Sequence, residues 1–330
     1  MRVIIHPMRI ESIIEVGRSL QKRFKENNTS EKEILDTYRL ELEPHIYHYL
    51  IEMNSEKLNA HWLNYIPPRY SKHAYVIVER RCHPNFEFIL KSIAWANPTM
   101  AVYIVCSTEN LQFIKSILGT KESYYTLLVL FHGNVSREDA KNEYNTLLTS
   151  ARFYDMFITC DYILTIQMDV IIRRKIPDSI FCGDYWGSPW AWKQSAAGGG
   201  GATIRKINIL RSICNGYCGS AGYEIEDPSD LRFCCAALRG STVNVRGGNP
   251  DTSVGGLAQQ LTSVLDGSSA EDAWISDHVV SFPDISFRAN HIMESIPVEN
   301  PILIHQFWTF FDTFSKASAD YWKHILTIEI

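Results

Sequence analysis

Asp161-Tyr-Ile-Leu-Thr-Ile-Gln-Met-Asp169-Val170 is the stretch on which the fold turns. Its apolar run has the length of a strand and ends on a carboxylate. Two segments follow: Gly183-Asp184-Tyr185-Trp186-Gly187-Ser188-Pro189-Trp190, an acid among aromatics, and Gly198-Gly-Gly-Gly201-Ala-Thr-Ile-Arg205, a tetraglycine opening another ordered segment. A strand that ends on a charged residue is what an open α/β sheet offers at its C-terminal edge, where such sheets bind ligands.

Upstream of it, short apolar runs alternate with amphipathic segments. Residues 74–79, 101–106, 124–130 and 162–168 read as strands, and residues 85–96, 109–118 and 137–150 as helices. Strands separated by helices of roughly 10 to 15 residues predict βαβ units and an α/β fold with a mainly parallel central sheet. Right-handed crossovers then bring the strands' C-terminal ends to one edge, with Glu79-Arg80-Arg81, Ser107-Thr108 and Asp169 on it. The first strand is followed by neither G-x-G-x-x-G nor G-x-x-x-x-G-K-[ST], which disfavours a dinucleotide fold or a P-loop enzyme.

Working outward, residues 1–72 carry helical periodicity. Ile10, Ile13, Ile14, Gly17 and Leu20 share one face, as do Ile34, Leu35, Tyr38 and Leu42, and Pro67-Pro68 closes the region. The expectation is an N-terminal helical extension packed on a main domain of residues 73–330. Within that domain, residues 216–269 are glycine-rich and weakly patterned, a flexible lid or an insertion. Order is expected again at a helix opened by Glu271-Asp272, with His278 on the same face as Glu271, and at a short strand in Pro301-Ile-Leu-Ile-His305 followed by aromatics.

Composition bounds the function. A net charge of -5 supplies no basic field for a duplex, so nucleic acid is not an expected partner. No apolar run approaches the roughly 18 residues of a membrane helix, and the start has no signal-peptide core, so no membrane span and a cytoplasmic location are expected. Cys106 and Cys160 sit in apolar runs as buried thiols would, and Cys214-x3-Cys218 with the adjacent Cys234-Cys235 lacks the second chelating gap of a zinc site.

Several residue types carry chemistry. Asp169, projecting from a buried strand's end, offers oxygen to a hard cation such as Mg²⁺ or Mn²⁺, or else caps the next turn. Asp184, Tyr185, Trp186, Trp190 and Trp192 combine ring faces with a carboxylate, which suits a sugar as well as a core. The glycines from Gly198 to Gly201, including Gly199 and Gly200, permit close backbone approach, and Arg205 follows with a charge that suits phosphate or carboxylate. Glu271 and Asp272 fit a helix N-terminus, or a general base. His305 alone suggests nothing; beside Asp169 it becomes a second metal ligand.

Taken together these pieces resemble a family of GT-A type glycosyltransferases first catalogued as a domain of unknown function. The matching pieces are Val76-Ile-Val-Glu79 with Arg80 and His83-Pro84, Tyr144-Asn145, Ile166 to Asp169, Asp184 to Trp190, Gly199 to Arg205, Glu271-Asp272 and Pro301 to His305. They run in order over roughly residues 74 to 310. The resemblance implies a GT-A-like (Rossmann-like) domain that moves a sugar from a nucleoside diphosphate sugar, UDP by the fold's habit, to a glycan, protein or small-molecule acceptor, with Mn²⁺ or Mg²⁺ bridging the diphosphate. It makes Asp169 the retained acid of a DxD motif with Gln167 at the first acid's position, His305 the C-terminal metal histidine, and Asp272, with Glu271 as alternate, the base of an inverting reaction. Glu79, Arg80 and Arg81 would lie by the nucleotide base, Asp184 and Trp186 by the sugar or acceptor, and the glycines form a wall facing the sugar. A retaining transferase and a non-catalytic carbohydrate-binding protein on a degenerate scaffold are the alternatives.

Overall fold

The computed structural model of the chain describes residues 9–27, 29, 31–148, 150–189, 191, 199–218, 281–310 and 318–330. Strands β1 (His73–Val78), β2 (Ala101–Ser107), β3 (Thr126–Phe131), β4 (Tyr162–Ile166), β6 (Tyr185–Ser188) and β7 (Gly199–Lys206) form a six-stranded sheet in the order β3-β2-β1-β4-β7-β6. β1 pairs in parallel with β2 and β4, and β2 with β3, whereas β7 runs antiparallel to both β4 and β6. The architecture is thus mixed α/β, with one reversed strand in a mostly parallel sheet.

Strand periodicity assigns the two faces. Tyr75 and Ile77 of β1 join one core with Leu164, Ile166, Ala202 and Ile204, while Ala74, Val76 and Val78 point into a second core with Ile163 and Tyr185. Because both faces are covered, the strands read as continuous apolar runs. The first core holds helices α1 (Ile10–Asn27), α3 (Glu43–Asn64), α4 (Phe86–Ala96) and α5 (Leu111–Leu118), with α2 (Glu31–Thr37) and a π turn over Tyr38–Leu42 between α1 and α3. The second is closed by α6 (Arg137–Leu148), α7 (Ala151–Asp155) and α8 (Ile207–Cys218). Where the sequence reads as one helix over residues 137–150, the chain forms two, because the Ser150 amide bonds back to Leu147 and Ser150 itself is extended before α7.

The periodicity of the N-terminal region is realised. Ile10, Ile13, Ile14, Gly17 and Leu20 are all buried, and their helix shares the first core with the sheet. The expected loop-rich segment lies outside the described residues beyond 218; residues 216–218 are the last turn of α8. Helix α9 (Ile285–His291) is capped by Asp284, whose side chain accepts from the Phe287 amide, and α11 (Ala319–Ile325) is capped likewise by Ser318.

A second, three-stranded sheet decides where the chemistry goes. β5 (Val170–Ile172) leaves the main sheet directly after β4 and pairs antiparallel with β9 (Leu303–His305), which pairs in parallel with β8 (Ile292–Met293). Its register sets Val170 opposite His305, so the residue before β5 and the last residue of β9 meet. The short helix α10 (Phe307–Phe310) follows after Gln306.

Candidate functional site

Asp169 and His305 are the residues this register joins. His305 Nε2 lies 3.4 Å from Asp169 Oδ1 and His305 Nδ1 lies 3.2 Å from Glu294 Oε1. Both are ion-pair distances without hydrogen-bond alignment: Asp169 Oδ1 and the two imidazole nitrogens are enclosed and lack a hydrogen-bond partner. Asp169's other oxygen, Oδ2, accepts from the Gln306 side-chain amide, and its side chain keeps a fifth of its surface open. The imidazole is thus enclosed between two carboxylates that balance it by charge, and Asp169 Oδ1 and Nε2 are two ligand atoms facing one another.

Charge reinforces the arrangement. Burial opposes the imidazolium form of His305, but Asp169 and Glu294 on its two sides push its pKa up to about 10. Burial likewise raises Asp169, yet the His305 charge and the Gln306 hydrogen bond hold its carboxyl well below the usual carboxylate range. Asp169 is therefore an anion throughout the physiological range, and the imidazole beside it carries a proton that a bound cation would replace.

The surroundings come from four elements. Gly201 of β7 sits against the imidazole: a Cβ there would overlap the His305 ring, 2.8 Å from Nε2, and lie 2.9 Å from Val170 Cγ2. The Gln167 amide donates to the Gly201 carbonyl at 2.7 Å, and the Gln167 side chain donates to the Tyr144 hydroxyl at 3.3 Å. Gln306, at φ 41°, is the one described non-glycine residue in the left-handed region, and it accepts from Arg39 at 3.3 Å while donating to Asp169. Strain of this kind is retained where neighbours over-determine a conformation, here the Asp169 contact and the start of α10. From α3, Glu43 is buried with its Oε2 unpaired, and burial followed by the charge of Asp169 pushes its pKa up to about 7.

The remaining predicted residues divide. Glu79, at the end of β1, lies on the same sheet edge, as does Asn85, whose amide donates to the Met168 carbonyl at 3.1 Å. Glu79 is buried and holds Arg81 by three bonds, from its amide at 2.8 Å, Nε at 2.8 Å and a terminal nitrogen at 2.7 Å, so its oxygens are engaged. Arg80 turns to the other side, pairing with Glu143 and the Gly133 carbonyl over the Phe131 ring. Ser107 is buried and tied to Asn110 and the Arg80 carbonyl, a structural turn.

The strand register carries two of the expected residues, Arg205 and Asp184, away from the Asp169 edge. Arg205 pairs opposite Ile163, three residues inside the sheet from Ala202, and is buried with Nε on Thr203 and a terminal nitrogen on the Tyr154 hydroxyl, so it does not face the Asp169 edge. Asp184 enters β6 at the sheet edge where β4 begins, opposite to the edge where β4 ends, and spends its carboxylate on Ser281 and Lys206. Gly183, at φ 66° with the Ser281 carbonyl where a Cβ would go, permits that closure. Trp186 is fully buried, its indole donating to the Cys182 carbonyl and its ring against Phe287 and His291. Gly199 and Gly200 open strand β7, where Gly187 lets the Gly199 backbone come close across the bulge. Gly198, Trp190, Trp192, Glu271, Asp272 and His278 lie outside the described residues.

Ser188, Glu294 and Gln306 are the site residues that the sequence reading missed. Glu294 is buried with Oε2 against the Ser188 hydroxyl, which also lies 2.8 Å from the Gly199 carbonyl. An acid following the apolar pair Ile292-Met293 was the one available signal, and it is too short to identify a strand.

Residues 133–299 match the family described as "Protein of unknown function (DUF5672)", a span of just over half of the 330 residues. The chain belongs to this family. The DUF5672 match takes in Gln167, Asp169, Ser188, Gly201 and Glu294, begins just after β3 and ends before His305. No curated protein matches the chain. Among solved structures, the chain is similar to 4-diphosphocytidyl-2C-methyl-D-erythritol synthase from Anaerococcus prevotii DSM 20548, at 12% identity and a TM-score of 0.31, over 48% of this chain and 80% of that one. A likeness at that level transfers neither fold nor activity. No described helix of this DUF5672 chain is long and apolar enough to cross a membrane, and Cys82, Cys106, Cys160, Cys182 and Cys214 are free thiols.

Proposed function

We propose that this chain is a metal-dependent glycosyltransferase of GT-A type, moving a sugar from a nucleoside diphosphate sugar, UDP foremost, to an acceptor hydroxyl with inversion. One observation carries the reading: an aspartate just past the C-terminal end of a central strand and a distant histidine meet with enclosed ligand atoms facing one another at 3.4 Å. Among the described residues no three His, Cys, Asp or Glu side chains converge as a complete metal cage. In a phosphate-transfer site Mg²⁺ or Mn²⁺ is held by one or two protein ligands joined by substrate phosphates and water. Asp169 Oδ1 and His305 Nε2 would be the protein ligands, and imidazole favours Mn²⁺ over Mg²⁺. What the ion supplies when bound is neutralisation of the charge that develops on the leaving diphosphate.

The chain's own residues supply the remainder. Gln306 holds Asp169 by one oxygen and leaves the other facing His305 Nε2, and Gly201 leaves room for the imidazole. Arg81, with Glu79 fixing its guanidinium, lies on the same edge and is largely exposed, as a residue beside the nucleotide would be. In the transfer an acceptor oxygen bonds to the anomeric carbon as the bond to the diphosphate oxygen breaks, and the hydroxyl proton passes to a carboxylate base, Asp272 or Glu271.

The test is a thermal-shift series with nucleoside diphosphates and sugar nucleotides, with and without Mn²⁺. Ligand at 100 times its Kd stabilises the fold by about 2.7 kcal/mol, which raises Tm measurably. Mn²⁺-dependent stabilisation by UDP or another nucleotide, lost in Asp169→Ala, is expected, together with EDTA-sensitive hydrolysis of the matching sugar nucleotide. A flat response to every nucleotide, with and without the ion, would remove the transferase reading.

A further inference from the structure

We infer that Glu294 is the positioning residue of His305: it faces Nδ1 from behind and so directs the Nε2 lone pair at the place shared with Asp169. The inference rests on the metal-dependent reading above and names the residue that makes the histidine a ligand. Glu294 is buried at the exit of β8, beside β9, and its Oε1 lies 3.2 Å from Nδ1. Its second oxygen is held by Ser188, at the register shift where β6 leaves β7, and the next residue, Ser295, accepts from the Ala191 amide at 2.8 Å and reaches the Pro189 carbonyl at 3.3 Å. The carboxylate is thereby fixed from both sheets, and so is the ring it faces.

Imidazole has two nitrogens, and a neutral ring can use one as a ligand only if its proton sits on the other. A buried carboxylate opposite Nδ1 keeps a proton on that nitrogen when a cation takes the place of the one on Nε2, so that Nε2 is the nitrogen that binds. A carboxylate behind a ligating histidine commonly serves in this way, and its loss lowers metal affinity by about 10- to 100-fold. Gly201 closes the remaining degree of freedom, since its bare Cα lies against the ring edge that carries Nε2. Asp169, the ring and Glu294 thus form one line across β5, β9 and β8, with Ser188 of the main sheet behind it.

Mn²⁺ affinity, read from free Mn²⁺ by electron paramagnetic resonance with and without UDP, tests the assignment in the full chain. Glu294→Leu should weaken Mn²⁺ binding by about 10- to 100-fold, Glu294→Gln should retain more of it because its amide oxygen still faces Nδ1, and Ser188→Ala should lose less than either. A purely structural role would lower the melting temperature of these variants and leave the Mn²⁺ affinity of the folded fraction at the wild-type value, which overturns the inference while the metal site stands. Wild-type protein that takes up no Mn²⁺ even with UDP overturns the metal reading itself, and this inference with it. Should Glu294→Leu not fold, Glu294→Gln and Ser188→Ala decide: both must bind Mn²⁺ more weakly than wild type.

Discussion

Glu43→Gln tests how the N-terminal helices bear on the site. Glu43 stands in the first turn of α3, buried, with Oε2 unpaired, and Tyr47 one turn later also has an enclosed, unpaired hydroxyl. Burial, then the charge of Asp169, pushes the Glu43 pKa up to about 7 from the ordinary 4.5, against the opposing pull of Arg39, His305 and Arg81. The folded-state value exceeds the unfolded one, so the carboxyl favours the folded state fully below about pH 4.5 and loses that contribution as pH rises to about 7. The gap corresponds to about 3 kcal/mol at most. Glutamine imitates the protonated acid at every pH. The stability difference between variant and wild type should therefore grow in the variant's favour between pH 4.5 and pH 8 by about 3 kcal/mol, or roughly 4 °C in Tm for a chain of this size. Urea denaturation at several pH values measures it. A difference that stays constant across that range would refute the argument, because it would mean that Glu43 feels neither burial nor Asp169.

Three further substitutions separate the site from its scaffold. Gly201→Ala puts a methyl into the His305 ring and against Val170, so Mn²⁺ affinity should fall by at least about tenfold, as for loss of a supporting group; unchanged affinity would show that the ring is free to move. Arg205→Ala removes a buried side chain bonded to Thr203 and Tyr154, and should cost about 2–4 kcal/mol in denaturation without altering UDP affinity. A loss of nucleotide binding at full stability would return Arg205 to the site. Asp184→Ala should destabilise by about 1–3 kcal/mol through its lost bonds to Ser281 and leave Mn²⁺ binding alone, as calorimetry can verify.

What was legible in the sequence is what depends on local pattern. The β1, β2 and β4 runs and the α4 and α5 helices stand within a few residues of where periodicity put them, because both sheet faces are covered and apolar run length alone marks a buried strand. The joint role of Asp169 and His305 rested on ligand chemistry and the family resemblance; the pairing of β5 with β9, which brings them together, joins segments too far apart in sequence for periodicity to relate. Pattern could not supply direction. Asp184 and Trp186 look like site residues in a linear reading, but β6 runs so that this motif begins at the far edge and only Ser188 reaches the near one. Arg205 failed for the same reason, since β7 is antiparallel to β4 and carries the residues after its glycines away from the site. A strand's polarity is set by what lies between strands, and neither the spacing nor the residue types of Asp184 to Arg205 encode it.

The small sheet explains why the site needs the whole chain. Asp169 leaves the main sheet through β5, and only pairing with β9 keeps its carboxylate against the imidazole; β8 adds Glu294, and the turn after β9 adds Gln306. Gln306 is also where Arg39 of the N-terminal region makes its contact, so the first seventy residues reach the site through this hydrogen bond as well as through the buried Glu43. Gln306→Ala would cut that link and leave Asp169 Oδ2 without its donor. The expected result is a modest loss of stability, about 1–2 kcal/mol, because alanine keeps the left-handed backbone as strained as before while a hydrogen bond to a charged group is lost. The same change should weaken Mn²⁺ binding, since an aspartate free to rotate no longer presents Oδ1 to Nε2. Arg39→Ala, which leaves the Gln306–Asp169 bond intact, should not weaken it; equal losses in the two variants would mean that the N-terminal helices, and not the amide, hold Asp169 in place.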